Sequence, residues 1–184
     1  MKRMVLAILL LAAWAAFSQP AEIILIRHAE KPDDPDNIHL SAQGQRRARA
    51  LPALFTRNPE FTRHGRPVAL FAARPERRKS RRALETLRPT ALRWHRTVQI
   101  PFIASDVARL ARTILHRPAY QGRTVLIAWT QEHLPELAEE LGVPNPPNWD
   151  NDAYDRVWVI TYGENGDAQL RDLPQKLLPG DSTD

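Results

Sequence analysis

Cysteine is absent from this chain. That excludes disulfides, thiolate metal sites and a lipid-bearing N-terminal cysteine. Glycine is sparse, with seven residues in 184, and no glycine-rich loop of the kind that cradles a nucleotide occurs. Histidines and acids do not fall at metal-ligand spacings, so neither a metal nor a cofactor is expected. Long apolar runs are also lacking, with one exception. Met4 to Phe17 follows Lys2 and Arg3, is short for a membrane span, and ends in Ala16-Phe17-Ser18, which puts small residues at both key positions of a cleavage site. Residues 1–18 therefore read as a secretory signal peptide and residues 19–184 as a single domain. The mature chain is expected to be periplasmic or secreted, with no stable membrane association after cleavage. Without disulfides it must be held by packing alone.

Charge is present but modest. The whole chain carries +5, and removal of Lys2 and Arg3 with a segment that holds no acid leaves +3. The surplus is concentrated in Arg74, Arg77, Arg78, Lys79, Arg81 and Arg82. Such a run attracts anions, yet no aromatic side chains interleave with it as a single-strand stacking surface requires. Nucleic acid is not expected as a partner, and most of this run reads as a solvated helix face.

The hydrophobic pattern predicts alternating strands and helices. Glu22–Ile26 reads as a strand buried on both faces and is followed by an acidic loop, Pro32 to Asn37. Ser41 is the expected N-cap of a helix carrying Ala48, Leu51, Leu54 and Phe55, with Pro52 kinking or ending it. A short strand at Val68–Ala72 leads to a helix from about Ser80 that Pro89 interrupts. Val98–Ile100 is a third strand. Ser105 is expected to cap an amphipathic helix that Pro118 stops, and Val125–Trp129 feeds a helix with Gly142 past its end. Val157–Tyr162 and Ala168–Leu173 flank a turn at Gly163–Gly166 and suit a hairpin; the residues from about Leu178 read as a frayed tail. This alternation specifies an α/β fold, a three-layer α/β/α sandwich with a mainly parallel central sheet.

Chemistry concentrates at the end of the first strand, in Arg27-His28-Ala29-Glu30. Open α/β sheets place ligands at the C-terminal tips of their strands. An imidazole beside a guanidinium there suits attack on a phosphoryl group: the arginine carries the oxygens while a ring nitrogen supplies the lone pair. Three other segments can reach that tip. They are Leu40-Ser41-Ala42-Gln43-Gly44-Gln45-Arg46-Arg47-Ala48, Arg82-Ala83-Leu84-Glu85-Thr86, and Thr130-Gln131-Glu132-His133-Leu134-Pro135.

Taken in order, these motifs resemble those of the histidine phosphatase superfamily, the phosphoglycerate-mutase-like proteins. Arg-His-Ala-Glu, Leu-Ser-x-x-Gly-x-x-Arg-Ala and Arg-x-x-x-Thr all match, and Tyr154–Trp158 with Leu173-Pro174-Gln175 is similar to a small exported bacterial branch. The resemblance implies a phosphoglycerate-mutase-like fold and a metal-independent phosphomonoester hydrolase working through a phosphohistidine on His28. Its substrate would be a small phosphorylated molecule. Arg27 and Arg82 would grip the non-bridging oxygens. The family's second histidine is missing from its usual slot, which holds Thr130; His133 is the expected replacement. Glu132 is the expected proton donor, with Asp106 as the other candidate. The alternative is a catalytically inactive member that binds phosphate or another anion. Substrate identity and oligomeric state are not legible.

Overall fold

The computed structural model describes residues 19–77 and 79–183; the expected signal peptide at residues 1–18 lies outside them. The elements are β1 (Glu22–Arg27), α1 (Ala42–Ala50), α2 (Leu54–Arg57), β2 (Ala69–Ala72), α3 (Arg82–Arg93), β3 (Val98–Gln99), α4 (Val107–His116), β4 (Thr124–Trp129), α5 (Leu134–Glu140), β5 (Arg156–Tyr162) and β6 (Ala168–Pro174). The strands form one six-stranded sheet in the order β3-β2-β4-β1-β5-β6. The first four are mutually parallel, and β5 closes the other side as an antiparallel partner of β1. β6 then returns antiparallel to β5 as the expected hairpin.

Strand order dictates the layers. The chain moves from β1 to β2 to β3 in one direction, then reverses to place β4 between β2 and β1. Right-handed crossovers put α1 and α3 on one face of the sheet and α4 and α5 on the other, and each of these pairs packs together. The connections from β1 and β4 therefore leave toward opposite faces. A crevice opens between the tips of these neighbours, at the position where open sheets bind ligands. All six residues of β1 and all six of β4 are buried, as the unbroken aliphatic runs require. Trp129, fully buried, sends its indole N–H to the Ala104 carbonyl at 2.9 Å, and so locks the β4 tip to the loop before α4.

Several local expectations hold. The Ser41 hydroxyl accepts from the Gly44 N–H at 3.1 Å and caps α1. At Pro52 the α-helix gives way to a 3₁₀ turn, Leu51–Ala53. Three expectations do not hold. Pro89 lies inside α3 without ending it; packing of the buried face formed by Ala83, Leu87 and Ala91 outweighs the loss of one backbone hydrogen bond. Asp106, rather than Ser105, occupies the α4 N-cap position, and no side chain caps that helix. The tail is not frayed. Asp181 returns to the body of the protein, where its carboxylate accepts from Arg47 and from the Leu177 and Leu178 N–H groups. Ser182 donates its backbone N–H to Asp155.

Gly44 is a close-approach glycine. A Cβ there would stand 2.4 Å from the Glu30 carbonyl oxygen and 2.9 Å from the Glu30 nitrogen. Both are backbone atoms that cannot swing aside. Gly44→Ala is expected to force α1 away from the segment after β1 and to destabilise the protein by about 1–3 kcal/mol, an overpacking cost. Urea unfolding checks this; an unchanged midpoint would mean that the helix and the segment separate freely.

Candidate active site

The motifs found in the sequence converge because each solves a structural problem near the β1 tip. Arg27 is paired with Trp129 in the β1–β4 register, and the His28 N–H donates to the Trp129 carbonyl at 2.9 Å. Ala29 has no exposed surface and packs with Leu40 and Ala48 in a small apolar cluster, which explains the small residue after the histidine. The Ala29 N–H donates to the Thr86 hydroxyl at 2.9 Å, which in turn donates to the Arg82 carbonyl at 2.8 Å. The Arg-x-x-x-Thr motif is thus a clamp that fixes the first turn of α3 against the end of β1. The Glu30 carbonyl accepts from the Ser41 N–H at 2.9 Å, and its side chain takes the Arg47 guanidinium at 3.0 and 2.8 Å. Arg47 also reaches Asp181 at 2.8 Å and Gln175 at 3.3 Å. Burial alone would raise the Asp181 carboxyl, yet the Arg47 pair and the two backbone donors bring it below the usual carboxylate range. This network holds the frame around the imidazole.

His28 is 5% exposed. Its Nδ1 stands 2.8 Å from the Ala29 carbonyl oxygen. A carbonyl only accepts, so Nδ1 carries the proton and Nε2 presents the lone pair. Burial pushes the ring down from 6.5 to about 4; the Ala29 acceptor opposes this, while Arg27, Arg82 and Lys31 add to it. The imidazole is neutral near pH 7, the state a nucleophile needs.

Arg27 is 2% exposed. Its guanidinium carbon lies 3.9 Å from the centroid of the Tyr154 ring, and its Nη2 donates to the Tyr154 hydroxyl at 3.1 Å. Nη1 donates to the Asn151 carbonyl. Its Nε is buried without a partner. Burial lowers its pKa, opposed by Tyr154, Glu132 and Asp152. Arg82 is held differently: Nε donates to the His39 carbonyl at 3.1 Å and Nη2 to the Asn37 carbonyl at 2.6 Å. The end of the acidic loop is therefore the seat of Arg82 as well as a solvated turn. His39 is bound to Glu85 at 2.6 Å, which steadies that seat.

His28, Arg27 and Arg82 are near enough for both arginines to disfavour charge on the imidazole, and the charge of Glu132 favours that of Arg27. His133 stands apart in its contacts: its Nδ1 lies 3.3 Å from Glu136, one turn along its own helix. Asp106 meets Arg109 in the first turn of α4, a helix-stabilising role. Of the basic run, Arg74 bonds the Pro101 carbonyl and Lys79 pairs with Glu76, so among the described residues of that run Arg82 alone is tied to the His28 environment. Tyr154 was legible only as part of a closing motif. Its ring, 6.2 Å from that of His28, reaches the site from the segment before β5, a contact that no local spacing announces. Among the described residues no group of three or more His, Asp or Glu side chains is arranged to hold a metal ion.

No family model and no curated protein matches the sequence. Solved structures do resemble the fold. A mycobacterial glucosyl-3-phosphoglycerate phosphatase, solved with inorganic phosphate, superposes with a TM-score of 0.57 at 12% identity, over 83% of this chain and 95% of that one. The protein histidine phosphatase SixA, solved with tungstate, matches with a TM-score of 0.57 at 12% identity, over 84% and 97%. A phosphoglycerate mutase from Plasmodium falciparum gives 0.57 at 12% identity, over 90% and 98%. With its strand order and its reversal at β4, the chain has the phosphoglycerate-mutase-like fold.

Proposed function

We propose that this chain is a phosphomonoester hydrolase that works through a phosphohistidine on His28. The observation that carries the reading is the state of that ring: buried, neutral, with Nδ1–H fixed on the Ala29 carbonyl and Nε2 free, between two arginines. Two fold neighbours, solved with phosphate and tungstate, are named as phosphatases, which supports the same chemistry. The Nε2 lone pair attacks phosphorus, and the bond from phosphorus to the ester oxygen breaks. Arg27 and Arg82 carry the non-bridging oxygens, a charge-assisted hold that strengthens as charge gathers there. The leaving oxygen takes a proton from the Glu132 carboxyl. The phosphorylated ring is then cationic, and its Nδ1–H bond to Ala29 strengthens. Water, giving a proton to the Glu132 carboxylate, attacks phosphorus, the P–N bond breaks, and phosphate leaves with His28 restored. Export through the signal at residues 1–18 belongs to this reading, which would place the substrate outside the cytoplasm.

Rapid acid-free quenching with a labelled phosphomonoester in EDTA tests it. A phosphoenzyme stable to base and labile to acid is expected, with its label on His28; release of phosphate through a base-labile serine or carboxylate adduct would sink the reading. The ring itself gives a second expectation. In ligand-free protein the His28 side-chain resonances should stay flat from pH 8 to pH 5 and move only near pH 4. A midpoint near 6.5 would mean that the ring is charged through the mildly acid range and that the site does not hold it neutral.

One observation favours the second reading, an anion-binding protein without turnover: His133 is turned to Glu136. In that case phosphate binds and no phosphoenzyme forms.

A further inference from the structure

We infer that the hydroxyl of Thr130 binds a non-bridging phosphate oxygen beside His28 and does the work assigned above to a second histidine; the inference rests on the phosphatase reading of the site. Backbone geometry places it. Arg27 and Trp129 are partners across the parallel β1–β4 pair, and the His28 N–H closes on the Trp129 carbonyl. Thr130 keeps an extended backbone, φ −91° and ψ 141°, so β4 continues by one residue in the same register and Thr130 stands opposite His28. Side chains of partnered residues leave a sheet on the same face, and those of successive residues leave on opposite faces. Trp129 is committed to the Ala104 loop, which leaves Thr130 to the side of His28.

The hydroxyl at that point has no partner. Thr130 Oγ1 and Arg27 Nε are both buried and make no hydrogen bond, although buried polar groups in folded proteins are nearly always satisfied. Both are donors, and both belong to the adjoining tips of β1 and β4. A tetrahedral oxyanion in front of Nε2 supplies the acceptor that the Thr130 hydroxyl lacks. Thr130 is only half-buried as a residue, so the position is not sealed off from solvent. The hydroxyl donates to an oxygen and exchanges no proton in the reaction, so Thr130 is a ligand of the transferring group and not its acid or base.

Thr130→Val and Thr130→Ser separate the donor from the shape. Binding of inorganic phosphate is measured by calorimetry, turnover with para-nitrophenyl phosphate, and stability by thermal unfolding without phosphate. In the valine variant phosphate affinity and kcat/KM should each fall about 10- to 100-fold, the loss of one hydrogen bond to a charged group, while serine stays within about threefold of wild type. The valine variant should also unfold at the same temperature as wild type or higher, since an unsatisfied buried hydroxyl has been removed. A merely structural threonine would move stability and leave phosphate affinity alone. Unchanged phosphate affinity in the valine variant overturns the inference, as does a wild-type protein that binds no phosphate. If phosphate affinity falls in the valine variant but no form of the protein turns over, Thr130 stands as an anion ligand and the hydrolase reading fails instead. If turnover depends on His28 yet ignores Thr130→Val, the hydrolase reading stands and this inference fails.

Discussion

His28→Asn is expected to lower phosphomonoester turnover by about 10⁴-fold or more, the scale seen when a covalent nucleophile is removed from a hydrolase. Asparagine keeps a polar group near the Ala29 carbonyl but has no nitrogen lone pair able to form the phosphoryl bond. Loss of folding can be separated from loss of chemistry through pH. The folded-state pKa of His28, about 4, lies below its ordinary value of 6.5. Between these values the unfolded chain binds a proton that the folded protein refuses, so wild-type stability is full above pH 6.5 and is lost as pH falls toward 4. The cost approaches roughly 3 kcal/mol, from 1.36 kcal/mol for each unit of pKa difference. The asparagine variant lacks this dependence. Relative to wild type it should therefore gain stability on acidification from pH 7 to pH 4, while remaining inactive throughout. Denaturant titrations at the two pH values measure the difference. Parallel curves would show that the ring is not held neutral, and residual turnover within tenfold of wild type would remove His28 from the chemistry.

Arg47→Met is expected to destabilise the protein by about 3–5 kcal/mol, because breaking a buried ion pair leaves its partners charged and unsatisfied. Two carboxylates are involved, Glu30 and Asp181, and Gln175 loses a donor as well. For a domain of this size the unfolding temperature should fall by roughly 10 °C, at about 2–4 °C per kcal/mol. Calorimetry checks it, and a fall of less than about 2 °C would mean that the network is not holding the frame. The effect should reach the site, since Glu30 lies two residues beyond His28 and its carbonyl anchors the start of α1. Adding Glu30→Gln to Arg47→Met should restore part of the stability, as one stranded charge is removed. Failure to recover would place the cost in lost packing of the long arginine stem instead.

Neither result depends on contacts that the sequence displays. The Leu-Ser-x-x-Gly-x-x-Arg-Ala motif was legible as the start of a helix, because capping and helical spacing are local properties. Its glycine and arginine were legible only as matches to a pattern. Their reasons lie across space, in the Glu30 backbone that leaves no room for a Cβ at Gly44 and in the returning Asp181 that completes the Arg47 network. The anchoring of the tail is hidden from the sequence for the same reason. Its composition lacks the periodicity of a helix or strand, and a single carboxylate reaching a buried guanidinium leaves no trace in spacing.

The ordering of strands and helices, the burial of β1 and β4, and an arginine and a histidine at a strand end are all legible along the chain. These follow from apolar runs and caps, whose energetics act over a few residues. The rest depends on contacts across the fold. The reversal at β4 set its tip beside β1, which turned Thr130 from an empty slot in a motif into a buried, unpartnered hydroxyl opposite His28. It turned His133 toward Glu136, brought Tyr154 onto Arg27, and drew the acidic loop onto Arg82. Such choices rest on hydrogen bonds and desolvation between residues far apart in the chain, and those depend on distances that only the folded protein defines.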